Sequence, residues 1–395
     1  MADPVNLFAR EVRGDPFPTY ARLRSAPVQR VEPMGIWAVS RHEDVEHVLK
    51  NPETFSSAGF GAVLKPAWLG HNPMADSLAT MDGLGHAKLR AILSRAFTPR
   101  GVARFEPRIR AIAAELAERL RARGECDFVA ELAAPLAGRV IAEAVGIDPA
   151  LSVHFRRWVG HIAMVSPMYP GDEIAAAIRA SIGEIDSALH AVVAARRREP
   201  MDDMVSDLVR AEVSGVALTD EEIVAFVCTL VPAGFETSMH LLALLVIGFA
   251  ERPEDLTRLR EDPSLIPAYI EESLRRSPPV HGVPRITTVD TVLGGVPVPA
   301  GSMVLALIGS ANRDAARHAE PERFDPSRGS QGGVAFGHGV HFCLGASLAR
   351  LEARVALEEL VRRVRGFERL HGELEWNVAV HVRGPMALPV RVLPA

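Results

Sequence analysis

Residues 223–250 constrain the chain most. This stretch is apolar for longer than the ~20 residues that cross a bilayer, yet Pro232, Gly234, Glu236 and His240 interrupt its middle. Ionisable groups are costly in hydrocarbon, so the stretch is expected to be a central helix buried in protein, with no membrane involved. A helix apolar all round needs a thick shell of other elements. The 395 residues, 48% hydrophobic and 24% charged, are enough to build one.

Apolar residues three and four apart recur through 102–123, 129–145, 172–198, 219–250, 264–276 and 344–365. Ser40 with Glu43 and Thr219 with Glu222 have capping-box spacing, and Pro278-Pro279 ends a helix. Short β-like pieces at 36–39, 283–286, 291–293, 296–298 and 387–392 lie between Gly and Pro residues. The expectation is a mostly α fold with small β-sheet regions. With no internal repeat and no linker, residues 1–395 read as a single domain. Residues 51–85 lack a period and form the kind of long segment that is usually functional. Residues 165–171 form a second irregular stretch.

The 44 Lys+Arg against 49 Asp+Glu leave a net charge of -5, which gives no overall attraction to nucleic acid or anionic membrane. Three cysteines, Cys126, Cys228 and Cys343, are too few for a disulfide framework or an iron–sulfur cluster. The N-terminus shows no basic region followed by an apolar run. A cytoplasmic location is expected.

Chemistry concentrates in Phe336-Gly-His-Gly339-Val-His341-Phe-Cys343-Leu-Gly345, which runs into the 344–365 helix. A cysteine at a helix start meets free N–H groups and the positive dipole end, which favour the thiolate a metal needs. A buried structural thiol is the alternative, as expected for Cys126 and Cys228. His338, His341 and Cys343 also suggest zinc, but no second Cys/His pair completes four ligands.

The loop resembles the haem-binding signature of the cytochrome P-450 family, Phe-x-x-Gly-x-x-x-Cys-x-Gly, with Phe336, Gly339, Cys343 and Gly345 in its four places. Glu272-Ser-Leu-Arg275 resembles that family's Glu-x-x-Arg helix, and 321–326 its meander. The resemblance implies the cytochrome P-450 fold and haem b (iron protoporphyrin IX), with Cys343 as the axial iron ligand. It also implies His86, Arg90, Arg285 and His341 at the haem propionates, and Glu272, Arg275 and Arg323 supporting the ligand loop. Ala233-Gly234-Phe235-Glu236-Thr237 looks like the oxygen-binding motif, in which a helix distortion opens a pocket. There Ala233 and Gly234 would lie beside the haem, with Glu236 and Thr237 as the catalytic proton-delivery pair. Phe235 replaces a small or polar residue, and Pro232 is unusual just upstream. From the residues alone, Thr237 bonding back to a carbonyl one turn earlier is the competing reading.

The implied reaction is monooxygenation, the hydroxylation or epoxidation of an apolar small molecule with O2. The chain carries no Gly-x-Gly-x-x-Gly after a strand and no cluster cysteines. Electrons would therefore come from a ferredoxin and its reductase, the arrangement the resemblance implies. Arg95, Arg100, Arg350 and Arg354 are candidates for a docking patch. A monomer is expected. By analogy Phe60, Leu64, Trp68, Met164, Met168, Val280 and Val283 would line a pocket for a terpenoid, fatty acid, steroid or polyketide. A non-turnover haem-thiolate binding or sensor protein and a peroxide-driven peroxygenase are the alternatives.

Overall fold

A computed structural model describes residues 5–32, 34–213, 215–329 and 333–395. Seven helices make the scaffold: α1 (Gly83–Leu93), α2 (Glu106–Arg123), α3 (Ala134–Val145), α4 (Asp172–Arg198), α5 (Asp220–Glu251), α6 (Ile266–Arg276) and α7 (Ala346–Arg363). Shorter helical turns connect them. The 223–250 stretch forms the middle of α5, and Thr219 caps it with Glu222 in a reciprocal pair: the Glu222 N–H donates to Thr219 Oγ1 at 3.2 Å, and the Thr219 N–H to Glu222 Oε2 at 2.9 Å. By hydropathy α5 passes as a membrane span. Its apolar residues instead join the main core, packed against α3, α4 and α7. Pro232 lies inside α5 without ending it, so the expected distortion is not a break in the helix.

Other expected helices are subdivided. Residues 102–123 divide between Pro99–Ala103 and α2, 129–145 opens with a π turn at Val129–Ala133, and 264–276 begins with a 3-10 turn at Pro263–Leu265. Gly146, at φ +81, ends α3, with its N–H and that of Ile147 returning to the Ala142 carbonyl. The Ser40–Glu43 capping box does not form. The nearby helix begins at His42, whose N–H donates to Asp314 Oδ2 at 2.9 Å, while Ser40 donates to the Pro27 carbonyl. A distant carboxylate has taken the place of the local cap.

The largest sheet has five strands: β1 (Val28–Val31), β2 (Ile36–Val39), β3 (Phe55–Ser56), β5 (Val283–Thr287) and β6 (Met303–Ala306). Their order is β1-β2-β6-β5-β3, and only the β2–β6 pair is parallel. A second sheet joins β4 (Glu125–Asp127), β7 (Val364–Arg369) and β8 (Pro389–Pro394) in the order β7-β8-β4. Two small ribbons, Glu212–Val213 with Val216–Ala217 and Thr291–Leu293 with Val296–Val298, complete the strands. The 51–85 segment contains β3, three short turns (Ala58–Phe60, Pro73–Asp76 and Leu78–Thr80), the Gly61–Leu64 helix and the start of α1.

Candidate active site

A cavity of about 360 Å³ lies between α5 and the loop leading into α7. The loop contributes Phe336, His341, Cys343 and Gly345, and α5 contributes Ala233, Gly234 and Thr237. Arg90 of α1, Val280, and Val283 and Arg285 of β5 complete the part of the lining expected from sequence. Leu78, Ile141, Phe226, Leu230 and Ile308 make the rest predominantly apolar.

Backbone geometry sets the loop. The Cys343 N–H donates to the Phe336 carbonyl at 2.8 Å, closing it, and Arg90 donates to the Phe342 carbonyl at 2.6 Å. Gly339 does not line the cavity. At φ +71 it passes so close to the chain that a Cβ would stand 2.6 Å from the Leu49 carbonyl oxygen. Only glycine meets both conditions. The Cys343 sulfur is accessible from the cavity. Burial pushes its thiol up, while the N–H groups of Gly345 and Ala346 and the guanidinium groups of Arg90 and Arg350 pull it back down.

Three nitrogen donor groups, Arg90, Arg285 and His341, line the cavity, and His86 packs against His341 without lining it. His86 Nε2 is buried without a partner, its ring 4.3 Å from that of His341, and burial lowers its pKa to about 4. Burial likewise lowers Arg285 to about 10, with the Asp82 charge opposing. Burial also lowers Arg90 and His341. Cationic groups so destabilised, with one imidazole nitrogen unpaired, suit an anionic ligand. The donor set fits the two carboxylates of a haem, and Cys343 fits its iron. Among the described residues no group of three or more His, Cys, Asp or Glu is placed to hold a metal, so the zinc alternative gains no support.

Glu272 and Arg275 form a buried bidentate pair, 2.8 Å in each arm. Arg275 also donates to the carbonyls of Asn312, Pro321 and Arg323, and the Asn312 side chain accepts from the Val334 N–H, just before the ligand loop. The expected Arg323 partnership is corrected. Only its carbonyl takes part; its exposed guanidinium pairs with Glu320. Arg328 is the side chain near Glu272, at 3.6 Å.

On α5, Thr237 Oγ1 donates to the Ala233 carbonyl at 2.5 Å, matching the local reading while the residue still lines the cavity. Glu236 does not line it and lies 3.7 Å from buried His240. Phe235 turns away to pack edge-on against Phe155, 6.1 Å between ring centres. Phe60, Leu64, Trp68, Met164 and Met168 are likewise not part of the cavity lining. Trp68 donates to the Ser166 carbonyl at 3.0 Å and packs beside Ile162, Ile178 and Ile182, so the two irregular segments meet each other. Of the four docking candidates, Arg350 pairs with Glu271, Arg354 with Glu106 and Glu358, and Arg95 donates to the Glu212 carbonyl.

Sequence reasoning missed Glu352 and Asp82. Glu352 of α7 lines the cavity, buried, with Oε1 unpartnered. Its position among Leu348, Leu351 and Val355, at helical spacing, was the available signal. Burial pushes its carboxyl up to about 8, with a Ser238 hydrogen bond opposing. A raised carboxyl holds a proton when folded that the unfolded chain releases above about pH 4.3. Its contribution to stability therefore falls as pH rises from there through about 8. Glu352→Gln is expected to flatten that dependence, with a gain of about 3–5 kcal/mol over wild type at pH 8 relative to pH 4. Denaturant melts at both pH values check this, and equal pH slopes would refute it.

A thiol presented at a helix start, facing a polar-interrupted helix across an apolar cavity with an anion-binding rim, defines the haem-thiolate oxygenase class. The chain belongs to the cytochrome P450 family: the family model described as Cytochrome P450 matches residues 171–368. It is 36% identical over 386 residues to Cytochrome P450 107B1 of Saccharopolyspora erythraea, covering 94% of each chain. It is 43% identical over 333 residues to the Erythromycin C-12 hydroxylase of the same organism, covering 83% of this chain and 82% of that one. The solved structure of Cytochrome P450 CYP109Q5 from Chondromyces apiculatus superposes with a TM-score of 0.91 at 38% identity, covering 100% of both chains. The fold, the haem-thiolate class and monooxygenase activity follow from this membership, as does the family's use of redox partners and apolar substrates.

Proposed function

We propose that this chain, acting as one cytoplasmic, monomeric domain, binds haem b through Cys343 and hydroxylates or epoxidises an apolar small molecule with O2. Electrons come from a ferredoxin and its reductase. The observation that carries the reading is that Cys343 and Thr237, on separate elements, line the same apolar cavity. Bound there, haem supplies the activation of dioxygen. His86, Arg90, Arg285 and His341 hold its carboxylates, and Ala233, Gly234 and Phe336 border the same space. The apolar lining orients substrate and excludes water. Similarity to a hydroxylase named for erythromycin favours a polyketide among the four substrate classes. The exposed Arg100 is the docking candidate without a partner among the described residues.

Reconstitution with a surrogate ferredoxin and reductase, followed by product analysis on a panel of these compounds, tests the reading. Product driven by hydrogen peroxide alone would favour a peroxygenase, and none under either condition a binding protein. Within this scheme Thr237 turns its hydroxyl proton from the Ala233 carbonyl toward the cavity, while Glu236, outside the lining and beside His240, makes no hydrogen bond with it. General acid–base contributions are about 10²–10⁴-fold. Thr237→Ala is expected to keep haem and substrate binding while releasing more hydrogen peroxide and less product per reduced nicotinamide. An unchanged ratio would assign the hydroxyl to its helix alone.

A further inference from the structure

Asp82 immediately precedes α1 and belongs to none of the motifs above. Its Oδ1 lies 2.9 Å from His341 Nε2. Its Oδ2 accepts from Ser56 Oγ at 2.6 Å and from the N–H groups of Ser57 and Ala58 at 2.9 and 3.0 Å. One carboxylate thus joins the ligand loop, the start of the helix carrying His86 and Arg90, and the opening of the 51–85 segment. That opening is itself tied to the rim: Ser56 pairs with Ile286, the neighbour of Arg285, and a Cβ on Gly59 would stand 2.7 Å from the Ile286 side chain.

With Nε2 engaged by Asp82, the His341 ring is pinned at one nitrogen. Its Nδ1 has no partner among the described residues, and the residue lines the cavity. A carboxylate that holds one imidazole nitrogen sets the direction of the other. The three donors from 56–58 in turn immobilise the carboxylate.

We propose that Asp82 is a positioning residue that fixes His341 toward the cofactor's carboxylates and couples seating of the cofactor to ordering of residues 56–58. The proposal rests on the haem reading above. Asp82→Asn holoprotein is expected to lose haem to excess apomyoglobin about tenfold faster than wild type, the scale of a lost hydrogen bond to a charged group. Amide hydrogen exchange at Ser57 and Ala58 is expected to accelerate.

In a His341→Ala background, Asp82→Asn is expected to add nothing to haem loss while still accelerating exchange at Ser57 and Ala58. Should Asp82→Asn fail to yield holoprotein, Asp82→Glu, which keeps the charge but lengthens the side chain, carries the same cycle. Haem loss within twofold of wild type, an equal effect in both backgrounds, or unchanged exchange would overturn the proposal. The ferrous–CO spectrum of wild type reads the haem-thiolate assignment separately, so its failure is distinguishable from failure of the Asp82 coupling.

Discussion

Cys343→Ala is expected to abolish the red-shifted absorption band of the ferrous–CO complex, together with all product formation driven by reduced nicotinamide. Thiolate ligation is what favours O–O cleavage over the oxygen carriage or peroxidase work suited to histidine. The two histidines of the ligand loop are each already held at one or both ring nitrogens. His341 is engaged by Asp82, while His338 Nδ1 accepts the Gly339 N–H at 2.7 Å and its Nε2 lies 3.4 Å from Glu46. Survival of the band in the variant would remove Cys343 as ligand.

Arg275→Ala is expected to prevent stable haem incorporation. It strands Glu272, 2% exposed, without its bidentate partner, and breaking a buried pair costs about 3–5 kcal/mol. It also frees three carbonyls that converge from the meander and from Asn312. Arg275→Lys is expected to rescue little, because an ammonium cannot make the planar two-armed contact. Arg323→Ala, which leaves the engaged carbonyl in place, is expected to change stability by less than about 1 kcal/mol. Haem content per protein and melting temperature distinguish these outcomes; normal values for Arg275→Ala would show that the buried pair contributes no more than an exposed one.

The legible parts of this protein were those written in local pattern. α4 carries helical periodicity along its whole length, and α5 carries it on both sides of its polar interruption and completes its own Thr219–Glu222 cap, so each is specified within a few turns of chain. The ligand-loop motif was readable for the same reason, since its glycines and cysteine lie within ten residues and its closing hydrogen bonds are local. The Ser40–Glu43 pattern failed because Asp314, remote in sequence, supplies the acceptor for the helix start. β1 and β6 were missed because short strands gain their stability from partners across the sheet.

The sequence by itself determined a mostly helical chain with a buried central helix and a cysteine presented at a helix start. It also placed glycine where the loop crosses the Leu49 carbonyl. Only the tertiary structure decided which side chains share the cavity. There Thr237 faces inward while Glu236 meets His240, Arg323 yields its side-chain role to Arg328, and Trp68 closes against Ser166 instead of lining the pocket. Periodicity specifies which face of a helix is buried, but the partner of a polar group is set by elements tens to hundreds of residues away. Asp82 shows the difference most plainly: an unremarkable residue before a helix becomes a junction because residues 56–58 and 341 fold onto its two oxygens.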